Sequence, residues 1–286
     1  RLTIFASYDW YDEENNVWHF DDEKFYAQLR SLKEIQIRDI DMVINVEWGT
    51  AIQTSCHVFG DNRFYKFPFE KECELFGDFV YEFLKVLREN GISRAKYISF
   101  FSEPNNEKAA VFDGNKDSKY REKKSISAVH KKLKKEGIRD DYKFIMGQTA
   151  IGDDIWNYTW QLIKPTYDAV NEYADIWAYH TYNLATTEYG NTASNFEKIL
   201  RAVNESIEDK LGLSAKDVWF DEYNALEYGT DNSSTQRDEL RIRYPLNLVS
   251  GMVSLLNTGF KTVINWTFVD TLWIGSHNGK NNHIVG

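Results

Sequence analysis

Cysteine is nearly absent: the 286 residues hold only 2, Cys56 and Cys73. One bridge is conceivable, but no disulfide framework is needed to hold the chain together. Proline (4) and glycine (16) are sparse and do not cluster, so there is no linker or low-complexity tract. No apolar run reaches transmembrane length. Basic residues are in deficit, 34 against 44 acidic, for a net charge of -10. That balance argues against nucleic acid, which needs a basic face. The lysine-rich stretch from Lys119 to Lys135 does not change this. Its apolar residues Ile126, Val129 and Leu133 recur at helical spacing, which makes the lysines the solvated side of a helix. No Gly-x-Gly-x-x-Gly follows a strand, and no phosphate-binding glycine loop or Gly-x-Ser-x-Gly elbow occurs. The 6 histidines show neither His-x-His nor His-Glu-x-x-His spacing. No metal or organic cofactor is implied. Nothing at the start reads as a signal peptide. Arg1 leads straight into a strand-like run, so the true N-terminus is expected upstream, and cytoplasmic and secreted locations both stay open.

Aromatic residues, by contrast, are plentiful: 9 Trp, 17 Tyr and 18 Phe. They serve either a large core or a cleft whose flat walls stack on sugar rings. Strand-like runs recur steadily, at Leu2 to Ser7, Met42 to Glu47, Tyr97 to Phe101, Lys143 to Gly147, Asp175 to Tyr179, Val218 to Phe220 and Thr262 to Trp266. Helical patterns lie between them. Asp22 to Lys33 puts Phe25, Leu29 and Leu32 on one face, and Glu72 to Asn90 ends at Gly91, a C-cap signal. Asp154 to Tyr173, Ser194 to Leu211 and Thr235 to Asn257 follow the same logic. Strand then helix, seven times over, predicts a parallel sheet. The period of about forty residues fits a (β/α)8 TIM barrel with elaborated loops. The barrel is read as a single domain spanning 1–286. Strand 1 is expected before Arg1, and the last helix after Gly286. A doubly wound open sheet is the structural alternative.

Two strand ends carry chemistry. Tyr97-Ile-Ser-Phe-Phe-Ser-Glu-Pro-Asn105 and Asp217-Val-Trp-Phe-Asp-Glu-Tyr-Asn224 each run from apolar residues to a glutamate. A barrel arms its active face at the C-terminal tips of its strands. Glu103 and Glu222, 119 residues or three βα units apart, would end strands 4 and 7. Paired carboxylates are what glycosidic cleavage requires, one as acid and one as nucleophile or base. Glu47 and Trp48 end strand 3 and Gln148 ends strand 5. Each is read either as a contact for a sugar or as an ordinary structural residue. Asp9, at the end of strand 2, stands on the same footing as Glu47 and Gln148, while Trp48 and Trp10 are weaker candidates, as walls of a subsite.

Ser-Glu-Pro-Asn at 102–105 resembles the Asn-Glu-Pro signature of clan A glycoside hydrolases, and Asp-Glu-Tyr-Asn at 221–224 resembles their nucleophile segment. Within the clan, Val17-Trp-His-Phe-Asp21, Trp177-Ala-Tyr-His-Thr-Tyr182 and Asn265-Trp-Thr-Phe-Val-Asp270 resemble segments of family 39, which includes β-xylosidases and α-iduronidase. Arg1 falls where that family places an arginine bracing the nucleophile. The resemblance implies a retaining hydrolase acting on an oligosaccharide or glycoside, with Glu103 as acid/base and Glu222 as nucleophile. His180 or Tyr182 would support the nucleophile, Trp266 would lie under the sugar, and Ser102 and Asn105 would contact it. Ser102 departs from the clan pattern, where asparagine usually holds the sugar 2-hydroxyl. That departure keeps a second expectation open, a barrel that binds glycans without cutting them.

Overall fold

A computed structural model of the chain describes residues 1–48, 62–101, 118–151, 167–182, 201, 218–224, 249–265, 271–273 and 282–284. Its strands and longer helices are β1 (Leu2–Phe5), β2 (Tyr11–Asp12), β3 (Val17–Trp18), α1 (Glu23–Ile37), β4 (Met42–Glu47), α2 (Phe69–Glu89), β5 (Ala95–Phe100), α3 (Ser118–Lys135), β6 (Lys143–Ile151), β7 (Ile176–Tyr182), β8 (Val218–Asn224), β9 (Thr262–Asn265), β10 (Thr271–Trp273) and β11 (Asn282–Ile284). A further helical stretch occupies 249–257. Seven strands form one sheet in the order β1-β4-β5-β6-β7-β8-β9, while β2–β3 and β10–β11 make separate two-stranded sheets. The pairings β1·β4, β4·β5, β5·β6 and β8·β9 are parallel. Spatial order follows chain order without a reversal. A doubly wound sheet must reverse at a switch point, so that alternative falls and the strand arrangement is that of a (β/α)8 barrel.

β4 has the bounds its sequence predicts, but β6, β7 and β8 run past Gly147, Tyr179 and Phe220 to Ile151, Tyr182 and Asn224. The cause is chemical. Polar residues ordinarily mark a strand's exit to solvent, yet Gln148, His180, Asp221 and Glu222 are buried and still belong to their strands.

The chain divides into two compact units, Arg1–Thr149 with Leu162–Trp177, and Ala150–Gln161 with Ala178–Gly286. In the first unit the helices start and stop on local chemistry. Asp22 caps α1 by accepting from the Phe25 N–H at 2.7 Å. α2 begins at Phe69, earlier than its apolar pattern suggests, because Pro68 can flank a first turn whose N–H groups need no helical partner. It ends as predicted. Gly91 takes φ +75°, its N–H reaches the Arg88 carbonyl, and the Ile92 N–H reaches Leu87. Gly137 closes α3 by the same two-bond motif. Ile126, Val129 and Leu133 are buried, so the lysines of α3 do flank an inward apolar stripe.

The core of this unit is aromatic. Trp10, Trp18, Trp48, Phe20, Phe25, Phe64, Phe76, Phe79 and Phe83 are all buried. Trp48 packs on Phe64 at 4.4 Å and Phe76 at 5.3 Å, and Trp18 lies on Phe79 at 4.9 Å, mostly in tilted or edge-on pairs. Each such ring stabilises the fold by about 1.5–3 kcal/mol through burial.

Arg139 ties this unit's later segments together. Its guanidinium donates to the carbonyls of Tyr142 and Tyr173 and to Asp175, lies 3.8 Å over the Phe144 ring, and reaches His130 Nδ1 at 3.2 Å. Burial, and next the Arg139 charge, push the His130 pKa below the ordinary histidine range. A depressed value favours the neutral ring in the folded state. His130 therefore contributes stability that is present above the ordinary histidine pKa and lost as pH falls through the folded value. The melting temperature is expected to decline from about pH 7 to pH 5, and His130→Gln should flatten that decline. Parallel pH profiles for the two proteins in thermal melts would refute the assignment.

In the second unit, Tyr179, Phe220 and Phe260 form a small ring cluster, a tilted pair at 6.2 Å and an edge-on pair at 4.7 Å. Tyr223 is fully buried against Gly251 of the 249–257 helical stretch. No helix among the described residues is long and apolar enough to cross a membrane.

Candidate active site

The register of β8 against β9 shifts between Phe220 and Tyr223. Phe220 pairs with Val263, but Tyr223 pairs with Asn265. Asp221 and Glu222 together therefore oppose the single residue Ile264, which is a β-bulge. Consecutive side chains of a regular strand point to opposite faces. The bulge breaks that alternation and lets two consecutive carboxylates approach one ring. His180 on β7 has Nε2 3.3 Å from Asp221 Oδ1 and Nδ1 3.5 Å from Glu222 Oε2. The His180 and Asp221 side chains are fully buried, and that of Glu222 is 8% exposed. This cluster lies wholly within the second unit.

In the first unit, polar residues gather on the sheet near the ends of β4 and β5. Asn45 and Glu47 alternate onto one face of β4. Ser99 Oγ donates to Asn45 Oδ1 at 2.8 Å, and Asn45 Nδ2 donates to Glu47 Oε1 at 2.7 Å. All three residues are buried. Phe101, immediately after β5, has φ +58°, a strained value for a bulky residue. Its ring stacks on Phe76 at 5.4 Å and 25°. This left-handed residue stands directly before Ser102 and Glu103 in the chain. Gln148 is similar. It follows Gly147 (φ +97°), has φ +40° itself, and is fully buried within β6.

Several expected site residues take definite places. His180 is within β7 and beside Glu222, and Tyr182 closes the same strand. Trp48 is fully buried in the aromatic core and donates its Nε1–H to Glu72 at 2.9 Å, the place of a packing residue. Trp10 is buried too, and Asp9 is exposed and paired with Arg63. Ser102, Glu103, Asn105 and Trp266 lie outside the described residues. Asp221 is the member of this candidate cluster that sequence reasoning did not single out. Its signal was its adjacency to Glu222, but strand alternation assigns it to the opposite face. Among the described residues no group of three His, Cys, Asp or Glu is arranged to hold a metal ion.

No family model matches the chain, and no curated protein matches it in sequence. Solved structures do match it. The GH53 catalytic domain of Ignisphaera aggregans aligns over 94% of this chain and 74% of its own, at 13% identity and TM-score 0.56. An exo-beta-1,4-mannosidase from Opitutaceae bacterium strain TAV5 aligns over 93% and 45%, at 10% identity and TM-score 0.55. A GH39 beta-xylosidase from Caulobacter crescentus aligns over 93% and 55%, at 15% identity and TM-score 0.54. The chain thus spans about half the length of the latter two. At such identities the likeness is one of fold, and the chain is a (β/α)8 barrel of the kind found in these glycoside hydrolases.

Proposed function

We propose that the chain is a retaining glycoside hydrolase of clan A, with segments resembling family 39, that acts on a β-linked oligosaccharide or glycoside. The observation that carries the reading is Glu222, held on a bulged β8 beside the buried His180. The Ser-Glu-Pro-Asn segment after β5 and the barrel fold shared with several glycosidases support it. Glu103 acts as the acid, donating its proton to the glycosidic oxygen as that bond breaks. The Glu222 carboxylate attacks the anomeric carbon and forms a glycosyl ester. Glu103, now a carboxylate, takes a proton from water, which cleaves the ester and restores both groups. Retention requires the two carboxyls to stand about 5–5.5 Å apart, and inversion about 6.5–9.5 Å. His180, Tyr182 and Trp266 hold the nucleophile and the sugar, with Ser102, Asn105 and Gln148 as further contacts.

The test is hydrolysis of a panel of aryl β- and α-glycosides, with Glu103→Gln as control. Release from one glycone, lost in the variant and slowest to recover on poor leaving groups, is the expected result. Turnover indifferent to Glu103→Gln sinks the acid/base assignment. Ser102 favours a second reading, a barrel that binds glycans without cleaving them. Oligosaccharide binding without turnover would select it.

A further inference from the structure

Two features at the C-terminal ends of β4 and β5 lie outside the two-carboxylate chemistry, and they meet at one place. The first is a buried carboxylate. Glu47 is 2% exposed, close to the 6% of Glu222. Phe100 leans on Phe76 of α2. Ser99 therefore lies on the opposite face of β5, which is the inner face of the barrel. Ser99 Oγ donates to Asn45 Oδ1, and Asn45 Nδ2 donates to Glu47 Oε1, so all three side chains share that inner face. Barrel interiors are ordinarily filled with branched apolar side chains. A buried polar chain costs stability compared with such filling. The relay also has a direction. It starts at a hydroxyl, passes through a neutral amide and ends at the carboxylate. The charged member thus stands at the C-terminal end, where a barrel holds its ligand. One bond from Asn45 orients the carboxylate without exhausting its roughly four acceptor positions.

The second feature is the backbone opposite. Val46 pairs with Phe100, and the Phe101 N–H reaches the Val46 carbonyl at 3.4 Å, so Phe101 is the cross-strand neighbour of Glu47. In a regular strand its ring would share the inner face with Glu47. The left-handed φ of +58° sends it instead to Phe76, the ring that Phe100 also touches. A bulky residue takes that conformation only under constraint. The strain keeps a phenyl ring off the inner face beside Glu47.

We propose that Glu47 is a substrate-binding residue whose carboxylate accepts hydrogen bonds from a hydroxyl of a bound sugar, with Asn45 and Ser99 as positioning residues. This role rests on the carbohydrate reading above and narrows it. A hydroxyl donates to a carboxylate, whereas a uronate carboxylate or a sulfate ester has no proton to give and is repelled. The substituent presented to Glu47 is therefore uncharged.

The test is binding, by ligand-observed NMR titration, of the methyl β-pyranosides of xylose, glucose, galactose and mannose to the native chain. The sugar that binds is then compared with its singly deoxygenated forms. Glu47→Gln should weaken the parent sugar about 10–100-fold, the scale of one hydrogen bond to a charged group. It should barely weaken the one analogue that lacks the contacted hydroxyl. A structural role would weaken parent and analogues alike, and that result overturns the proposal, as does full affinity in a folded Glu47→Gln or no binding by any of the four sugars. Ser99→Ala, which removes only the far end of the relay, should show the same selective pattern at smaller size and decides the matter if Glu47→Gln does not fold. Binding needs no turnover. A chain that cleaves nothing yet shows the pattern sinks the hydrolase reading and leaves Glu47 in its role, whereas cleavage without the pattern does the reverse.

Discussion

Glu222→Gln is expected to lower kcat/KM on the best glycoside by at least about 10⁴-fold, or about 5.5 kcal/mol of transition-state stabilisation. Glutamine keeps the shape of the side chain but cannot form the glycosyl ester, because a neutral amide is a poor nucleophile at the anomeric carbon. The same change should leave the melting temperature unchanged or raise it. Glu222 is only 6% exposed, and a carboxylate kept buried for chemistry is desolvated at a cost to stability that a neutral amide does not bear. Opposite movement of the two readouts is the signature sought. Lost activity accompanied by a collapsed melt would point to a structural carboxylate, and activity retained in a folded variant would remove Glu222 from the mechanism.

Gly251→Ala should be among the most damaging single-atom additions in the second unit. A methyl group at that position would stand 1.7 Å from the Tyr223 hydroxyl and 2.7 Å from the ring carbon that bears it. Tyr223 is fully buried, so the ring has no open space to swing into. Either the 249–257 helical stretch lifts from the sheet or the β8 backbone beside Glu222 shifts. Overpacking of this kind costs about 1–3 kcal/mol, and more where nothing yields. Activity should fall with stability, because Tyr223 is bonded to Glu222 in the chain. Tyr223→Phe removes the 1.7 Å contact but keeps the ring, so it should rescue Gly251→Ala only in part. Non-additivity in that double-mutant cycle, read from denaturant melts, is the check. A variant Gly251→Ala that unfolds with the native protein would show that this contact yields freely.

Much of the architecture could be read from the residues. The apolar run Met42 to Glu47 is bounded by polar neighbours and becomes β4 without change. Asp22 and Gly91 announce a helix start and a helix end through capping chemistry, which is local and so visible in sequence. The site was less legible, for physical reasons. Whether an aromatic ring lines a cleft or fills a core depends on what stands opposite it. Trp48 meets Glu72, Phe64 and Phe76, all distant in sequence, and so it is buried. The pairing of Asp221 with His180 depends on a bulge, and a bulge depends on register with β9 rather than on the composition of β8. The left-handed backbone of Phe101 has no sequence signal either, since a phenylalanine there contradicts local preference and is held by packing on Phe76.

The ring cluster of the first unit has an optical consequence. Trp10, Trp18 and Trp48 are all buried in it, with Trp18 and Trp48 at 6.2 Å and Tyr11 and Trp18 at 4.9 Å. Fixed chromophores this close couple their electronic transitions and give near-ultraviolet circular dichroism that vanishes once packing loosens, even where helices persist. That band is therefore a built-in gauge of side-chain order around β4 and α2. Far-ultraviolet dichroism follows the helices of the whole chain. A gap between the two melting curves would be the optical mark of an aromatic core that loosens before its backbone does.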